Sequence, residues 1–467
     1  MMHPNVPDWL ESTCQRLSEN DPTLLTLEIT HQRIDDNQAK LLAAALETNH
    51  VVKVFVLSLY SIVDDGALAI GNVLAANESI KTLQFRDIRN SRELLILMTA
   101  IRENRSIKEF SLRHCNLCIR GSCALGDTLR DHMSIREVRI VDSQIEDNGI
   151  EPLLVPLGDN KVIERLYLIN NELGTLGSSI LGKMMGKNSS IEQLYVCENG
   201  VGNDGVNKLA QGLQDNSTVR TVNLRSNDIG PQGALALRSL VMGHKSLRYL
   251  GLASNQLGDS GASFIARGLD HNAMLRALDV SDNGIGVRGA ESFAKMLQIN
   301  HVLQELNLSF NEVGDEGADR LASVLVDNST CQRLFLRRNR VSNKGAEAFA
   351  RKLPMMRGLK KLVLIKNAIG EEGASSLLRA LHLNMELEYL HVEDKQIAQP
   401  IVGEILHWIR LNRAGRKIFR ETNMPVALWP HVLARGRSDP EVIFHFLSEK
   451  PEIFTSRKTL ESHHAIC

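Results

Sequence analysis

The chain has 467 residues, with 54 Lys and Arg against 55 Asp and Glu, so its formal net charge is −1. This balance does not call for nucleic acid or an acidic membrane as a partner. The N-terminus has no basic start and no apolar run, which argues against a secretory signal, and no apolar stretch reaches the roughly 18 residues needed to span a bilayer. Seven cysteines are too few and too scattered for a disulfide framework. We expect a soluble protein of the cytoplasm or nucleus with no membrane partner.

Residues 1–23 begin with a short helical pattern. Trp9, Leu10, Cys14 and Leu17 fall on one face of a helix that starts near Asp8. The terminal repeats of a repeat array need a polar outer face because only one of their sides is covered. We therefore predict that this segment is a helical cap over the repeats that follow.

From Leu24 onward the sequence repeats with a period of 28 residues, broken once by a step of 27 between Leu83 and Phe110. Each repeat has an apolar residue at a central position, here called the anchor, and another two residues later. Alternation with a period of two predicts a strand. The anchors are Leu27, Phe55, Leu83, Phe110, Val138, Leu166, Leu194, Val222, Leu250, Leu278, Leu306, Leu334, Leu362 and Leu390.

Five residues after the anchor, eight consecutive repeats carry an asparagine, from Asn171 to Asn367. An amide side chain both donates and accepts, so we expect a structural ladder that satisfies backbone groups where the chain leaves each strand. The earlier repeats carry other residues at this position: Gln32, Tyr60, Ile88, Cys115 and Ser143.

The second half of each repeat has the features of a helix. A pair such as Gly317-Ala318 allows close packing on the sheet, and apolar residues then recur at helical spacing. The helix ends near an asparagine such as Asn300 or Asn328, which predicts a left-handed C-cap. Parallel strands stack at about 4.8 Å and helices need about 8–10 Å, so the array must curve with its sheet inside.

The pattern LxxLxLxxNxIGxxGAxxLAxxLxxN resembles the ribonuclease-inhibitor class of leucine-rich repeats over residues 24–398. The resemblance implies an α/β horseshoe solenoid with a concave parallel sheet of about 14 strands and convex helices. This class includes ribonuclease inhibitors, the activating protein of the small GTPase Ran, sensor arrays of NOD-like receptors and actin-filament capping proteins.

After Gln396 the period fails. Residues 399–413 predict a closing helix with Ile401, Ile405, Trp408 and Ile409 facing inward. Residues 414–467 form a segment richer in aromatic residues, which we predict to be a small helical tail whose last dozen residues are disordered. Its aromatic residues include Phe419, Trp429, Phe444, Phe446 and Phe454.

No motif in the sequence predicts catalysis. Cys115, Cys118 and Cys123 lie near His114 and His132, but no second Cys-x-x-Cys pair follows at zinc-site spacing, so we predict filled repeat positions and no metal. A phosphate-binding loop and a Gly-x-Ser-x-Gly nucleophile motif are both absent from the sequence. We therefore predict a non-enzyme without a cofactor.

Side chains one before, one after and three after each anchor should point into the concave face. Two clusters there combine aromatic residues and cations, which are enriched at interface hot spots. The Tyr–Arg cluster comprises Arg139, Val141, Arg165, Tyr167, Ile169, Tyr195 and Arg225. The basic cluster comprises Arg333, Phe335, Arg337, Arg338, Lys361 and Lys366, with Arg340 and Lys360 at its edges.

The leading hypothesis is a monomeric, non-enzymatic scaffold that binds a protein partner on the concave face. The basic cluster would suit an acidic protein surface better than RNA. One alternative is a GTPase-activating protein similar to that for Ran, although the mildly basic tail lacks the long acidic tract of many such activators. A second alternative is a sensor or regulatory subunit of a signalling complex.

Overall fold

The computed structural model describes residues 6–145, 147–392, 397–417 and 439–449. The chain forms two compact units, Met1–Asp279 and Val280–Cys467. Both are built from the same motif, in which a strand, a turn, a helix and a return loop follow one another. The α/β leucine-rich-repeat architecture expected from the sequence is confirmed, with one parallel strand at each of the fourteen anchors.

Within each unit the strands pair in parallel, with anchor opposite anchor. The strands of the first unit are β1 (Thr26–Ile29), β2 (Val54–Ser58), β3 (Thr82–Arg86), β4 (Glu109–Arg113), β6 (Glu137–Val141), β8 (Arg165–Ile169), β9 (Gln193–Tyr195), β10 (Thr221–Asn223), β11 (Tyr249–Gly251) and β12 (Ala277–Asp279). Two short strands, β5 (Asn116–Leu117) and β7 (Gln144–Ile145), pair separately. The second unit contributes β13 (Glu305–Asn307), β14 (Arg333–Phe335), β15 (Lys361–Val363) and β16 (Tyr389–His391).

A helix follows nearly every strand. The helices of the first unit are α1 (Asp8–Ser18), α2 (Asp36–Glu47), α3 (Asp64–Ala76), α4 (Ser91–Ile101), α5 (Ile119–Asp131), α6 (Asp147–Leu154), α7 (Gly174–Lys187), α8 (Gly202–Leu213), α9 (Pro231–Gly243) and α10 (Gly258–Leu269). Those of the second are α11 (Val287–Ile299), α12 (Gly314–Val324), α13 (Asn343–Lys352), α14 (Glu371–Leu381), α15 (Gln399–Arg413) and α16 (Pro440–Glu449). Short 3-10 turns lie at Val155–Gly158 and Leu353–Met355.

The core lies between the strands and the helices. In the repeat around β13, the anchor Leu306 and Leu308 are buried together with Ala318 and Leu321 of the helix that follows. Glycine lets neighbouring helices approach closely, because a Cβ at Gly212 would lie only 2.0 Å from the carbonyl oxygen of Gly182. The core is therefore a series of thin apolar layers, one per repeat.

The predicted asparagine ladder is present within each unit. Asn199 Oδ1 accepts the backbone N–H of Asn171 at 3.0 Å, while its Nδ2 donates to the carbonyl of Leu168 at 2.7 Å. Other residues extend the ladder toward the N-terminus, because Ser143 Oγ accepts the N–H of Cys115 at 3.2 Å. The side chains thus replace backbone partners that the chain loses as it leaves each strand.

The prediction of left-handed C-caps at the helix ends is wrong. Asn300 has φ −82° and ψ 120°, which is extended backbone. This conformation lets its side chain fold back onto the return loop, where Oδ1 accepts the N–H groups of Val302 and Leu303 at 2.9 and 2.8 Å. Asn328 Nδ2 donates to the carbonyl of Leu297 at 2.7 Å, so these asparagines form a second ladder between repeats.

The two ends of the array have the helices that the sequence predicts, while their capping roles and the domain boundaries remain predictions. In α1, Leu10, Cys14 and Leu17 are buried. In α15, Ile405 and Ile409 are buried, whereas Ile401 and Trp408 are half-buried. In α16, Phe446 is buried and Phe444 is exposed, and the predictions for Phe419, Trp429, Phe454 and the last dozen residues lie outside the described residues. Among the described helices, none is long and apolar enough to cross a bilayer.

Candidate protein-interaction surface

Each strand turns its anchor into the core and the residues beside the anchor toward solvent. In β8, for example, Leu166 and Leu168 are buried, whereas Arg165, Tyr167 and Ile169 are half-exposed. We call the surface formed by these outward residues the open face. It is where unburied side chains of neighbouring strands come together.

Two tyrosines stack on the open face of the first unit. Tyr167 and Tyr195 lie opposite each other in β8 and β9, with ring centroids 4.4 Å apart and an angle of 9° between the rings. The guanidinium carbon of Arg139 lies 4.0 Å from the centre of the Tyr167 ring. The structure therefore joins three predicted residues of the Tyr–Arg cluster through aromatic stacking and a cation–π contact.

Glu137 organises the arginines of this cluster, although it was not among the residues predicted from the sequence. Its side chain is buried and accepts hydrogen bonds from the Nε groups of both Arg139 and Arg165. The hydrogen bond to Glu137 raises the pKa of Arg165, while burial raises the pKa of the Tyr167 hydroxyl. The cluster therefore presents aromatic rings and tethered guanidinium groups rather than free cations. Glu137 lies one residue before the anchor Val138, which is one of the positions expected to face a partner. The sequence therefore contained a signal that could have identified it.

The other predicted members lie at the margin of the Tyr–Arg cluster. Val141 and Ile169 are half-buried and opposite each other at the ends of β6 and β8. Arg225 is exposed after β10, and the contacts of the described residues do not join it to the stacked tyrosines. The cluster is thus centred on two arginines, two tyrosines and one buried carboxylate.

Much of the charge of the basic cluster in the second unit is compensated on the open face. Arg333 forms an ion pair with Glu305 of the preceding strand. Lys361 Nζ lies 4.9 Å from the centre of the Phe335 ring and 4.6 Å from that of Tyr389. At the edges, Lys360 pairs with Glu386 at 2.7 Å and Arg340 pairs with Glu312 at 2.5 Å.

Two predicted members of the basic cluster lie on turns rather than on the concave face of the strands, which corrects that prediction. Arg338 and Lys366 have φ values of 52° and 59°, and Phe310 occupies the equivalent position with φ 59°. This left-handed backbone follows the strand, so it directs the side chains to the turn edge. Arg337 and Arg338 place their guanidinium carbons 5.1 and 5.4 Å from the centre of the Phe310 ring.

These turn residues line a shallow depression in the second unit. Its volume is about 480 Å³, and Phe310, Arg338, Arg340 and Lys366 contribute to its wall. The basic cluster is therefore two adjacent surfaces, one on the open face and one along the turns.

The comparisons with known proteins agree with the repeat geometry. The family model for the leucine-rich repeat matches residues 215–237, 243–266, 271–294 and 300–322. This is a leucine-rich repeat protein. A comparison of the leucine-rich repeat protein with curated proteins gave no match. Its ribonuclease-inhibitor subtype remains a prediction.

Solved structures similar to parts of this leucine-rich repeat protein share little sequence with it. Actin-binding site 2 of leiomodin-1 is 18% identical, with 34% of this chain and 91% of that chain covered, at a TM-score of 0.31. The tropomodulin C-terminal domain of Caenorhabditis elegans is 15% identical, with 33% and 92% covered, at 0.29. An internalin (inlF) of Listeria monocytogenes is 15% identical, with 83% and 94% covered, at 0.38. Similarity at this level carries no functional conclusion.

The cysteines of the leucine-rich repeat protein occupy ordinary repeat positions. Cys115 is buried at the ladder position, and burial raises the pKa of its thiol to about 12. Cys118 precedes α5, Cys123 is exposed and His132 is buried at the other end of that helix. Among the described residues, no three His, Cys, Asp or Glu side chains are grouped so that they could hold a metal.

Proposed function

We propose that this leucine-rich repeat protein is a non-enzymatic scaffold that binds a partner protein through the open face of its first unit. The observation that carries the proposal is the stacked pair Tyr167 and Tyr195 with Arg139 over one ring. All three side chains are accessible to solvent in part, so their contact surface is available to a partner.

Pre-organisation explains why this cluster would dominate binding. Glu137 holds Arg139 and Arg165, and the tyrosine rings hold each other, so few rotamers remain to be fixed when a partner arrives. Fixing a flexible side chain at an interface costs about 0.5–1.5 kcal/mol, and this cost is largely avoided here. Tyrosine and arginine are also the residues whose truncation most often weakens an interface.

The basic cluster of the second unit would contribute a separate, electrostatic contact. Its turn residues Arg338 and Lys366 are exposed, so they suit an acidic protein surface. The proposal includes a monomeric protein of the cytoplasm or nucleus, as the sequence predicts. The GTPase-activator and sensor alternatives stay predictions, since no contact of the described residues favours either over a scaffold.

Affinity capture from a native lysate, quantified by mass spectrometry, tests the proposal. The double variant Tyr167→Ala and Tyr195→Ala should reduce recovery of the principal partner, because removal of a hot-spot residue costs about 2 kcal/mol or more, a factor of about 30 in affinity. Leu176→Ala with Leu235→Ala is the matched control, since both leucines are exposed on outer helices. Equal recovery with both double variants would refute the open face as the binding surface.

A further inference from the structure

The first five repeats have no asparagine at the ladder position, and one of the residues that replaces it contacts two arginines. Tyr60 occupies the ladder position of the second repeat and is half-exposed. The guanidinium carbons of Arg33 and Arg89 lie 4.1 and 3.7 Å from the centre of its ring. Because these arginines come from the repeats before and after Tyr60, one ring fixes two cations along the turn edge.

These two cations are not neutralised. Both Arg33 and Arg89 are exposed, and neither has a carboxylate partner among the ion pairs of the described residues. A cation–π contact attracts each guanidinium to the ring but leaves its charge and most of its N–H donors unused.

The acidic residues near these arginines in sequence have other partners. Asp35 and Asp36 accept the backbone N–H groups of Gln38 and Val63 at 2.9 and 2.8 Å. Asp64 pairs with Arg92 at 2.9 Å, Asp65 pairs with Lys40 at 2.8 Å, and Asp87 accepts the hydroxyl of Ser58 at 2.7 Å. None of these carboxylates forms an ion pair with Arg33 or Arg89 among the described residues.

A third arginine lies on the next strand, close to this edge. Arg86 is the last residue of β3 and lies opposite Ser58 of β2. Tyr60 follows Ser58 by two residues. Its Nε atom is buried and has no hydrogen-bond partner among the described residues. Because this Nε atom is buried it does not contact a ligand itself, and Arg86 contributes its positive charge beside the turn edge.

We propose that Arg33 and Arg89, both in contact with Tyr60, together with Arg86 at the end of β3, bind an acidic peptide segment of a partner protein. Guanidinium groups form forked hydrogen bonds with carboxylates, so each arginine supplies both charge and direction. The guanidinium carbons of Arg33 and Arg89 both lie about 4 Å from the centre of one ring, so they are at most about 8 Å apart. An extended peptide covers that distance in about two residues. The segment therefore carries Asp or Glu at every second position, so that its carboxylates lie on one side of the extended chain.

The same geometry disfavours single-stranded nucleic acid. Proteins bind such strands by stacking bases on accessible aromatic rings. The Tyr60 ring is already contacted by two guanidinium groups, so it is not free to receive a base.

Fluorescence anisotropy with the full chain and a labelled peptide of repeated Glu-Ser pairs tests the proposal. Arg33→Gln with Arg89→Gln should weaken binding at least tenfold. Arg267→Gln with Arg288→Gln is the matched control, because both arginines are exposed on helices and the charge lost is the same. Tyr60→Leu should weaken binding several-fold, whereas Tyr60→Phe should keep it, since only the ring is needed.

Three results would overturn the proposal: no binding of the peptide by the unaltered chain, equal weakening in both arginine double variants, or tighter binding of a single-stranded oligonucleotide of equal charge. Circular dichroism of each variant checks that the fold is intact. The Tyr167→Ala and Tyr195→Ala variant should bind the peptide normally, so failure of the open-face proposal would be distinguishable from failure of this one.

Discussion

A buried histidine makes the stability of the first unit dependent on pH. His132 occupies the helix-end position that Asn104 and Asn160 fill in neighbouring repeats, and it is fully buried. Its Nδ1 accepts the N–H groups of Ser134 and Ile135 at 3.3 and 3.2 Å, and its Nε2 lies 3.2 Å from the carbonyl of Ile101. Only a neutral ring with its proton on Nε2 satisfies all three groups. We therefore expect protonation to disrupt this junction.

The size of the effect follows from the shift in pKa. Burial lowers the pKa of His132 to about 4, below the roughly 6.5 of an unfolded histidine. The unfolded state therefore takes up the proton first, so stability is fully present above about pH 6.5 and is lost as the pH falls toward 4. Between about pH 7.5 and pH 5 this single group removes about 2 kcal/mol of unfolding free energy.

The substitution His132→Asn should abolish that loss. Asn104 makes the equivalent bonds, because its Oδ1 accepts the N–H groups of Ser106 and Ile107 at 2.8 and 2.9 Å without titrating. Urea unfolding at about pH 7.5 and pH 5, followed by circular dichroism, should show a drop about 2 kcal/mol smaller in the variant. Amide exchange at Ser134 and Ile135 reports the same junction locally.

The matched control is His271→Asn, because His271 is exposed and its replacement should leave the pH dependence unchanged. An equal drop between the two pH values in His132→Asn and in the unaltered chain would refute the reasoning. A variant that is much less stable at both pH values would show that asparagine does not reproduce the bonds of the ring.

Three further predictions concern packing and hydrogen bonding. Asn199→Ala should lower the unfolding free energy, measured in urea, by about 2–4 kcal/mol, because it leaves buried backbone groups of two repeats without hydrogen-bond partners. The exposed control Asn207→Ala should change the unfolding free energy little. Glu137→Gln should cost about 1–2 kcal/mol in thermal unfolding, since two half-exposed arginines lose their shared carboxylate, and an unchanged melting temperature would contradict this role. Gly212→Ala should destabilise by about 1–3 kcal/mol through its clash with the neighbouring helix, whereas Gly403→Ala, with open space around its Cβ, should stabilise α15 by about 0.5–1 kcal/mol.

The regular positions of the repeat could be predicted from sequence because each has one physical task. The anchor must be apolar to fill its layer, and Asn171 must both donate and accept where the strand ends. Fourteen copies of the anchor and eight of the asparagine give a period that needs no other information. The helix-end asparagines show the limit of this reasoning, because the residue type permits both a left-handed cap and the extended conformation that Asn300 adopts.

The candidate site was less predictable because it depends on irregular positions. The period placed Arg139, Arg165, Tyr167 and Tyr195 on one face, but it did not show that Glu137 would be buried beneath the arginines. Side-chain convergence across strands depends on rotamers, which a pattern does not specify. The arrangement around Tyr60 was not predictable for a related reason. Arg33 and Arg89 are six residues beyond their anchors, outside the positions expected to face a partner, and only Arg86 occupies such a position.

The ladder described above also bears on how such a chain changes its length during evolution. Asn171 donates to Asn199, and Asn199 donates in turn to Asn227, with the same 3.0 Å distance at both junctions. Duplication or loss of 28 residues in register would leave every ladder group with an equivalent partner. A change of any other length must be absorbed inside one helix or return loop, as in the 27-residue step between Leu83 and Phe110. The fold therefore tolerates the gain or loss of whole repeats. Each added or lost repeat shifts the contact clusters on one side of it by one strand relative to those on the other side.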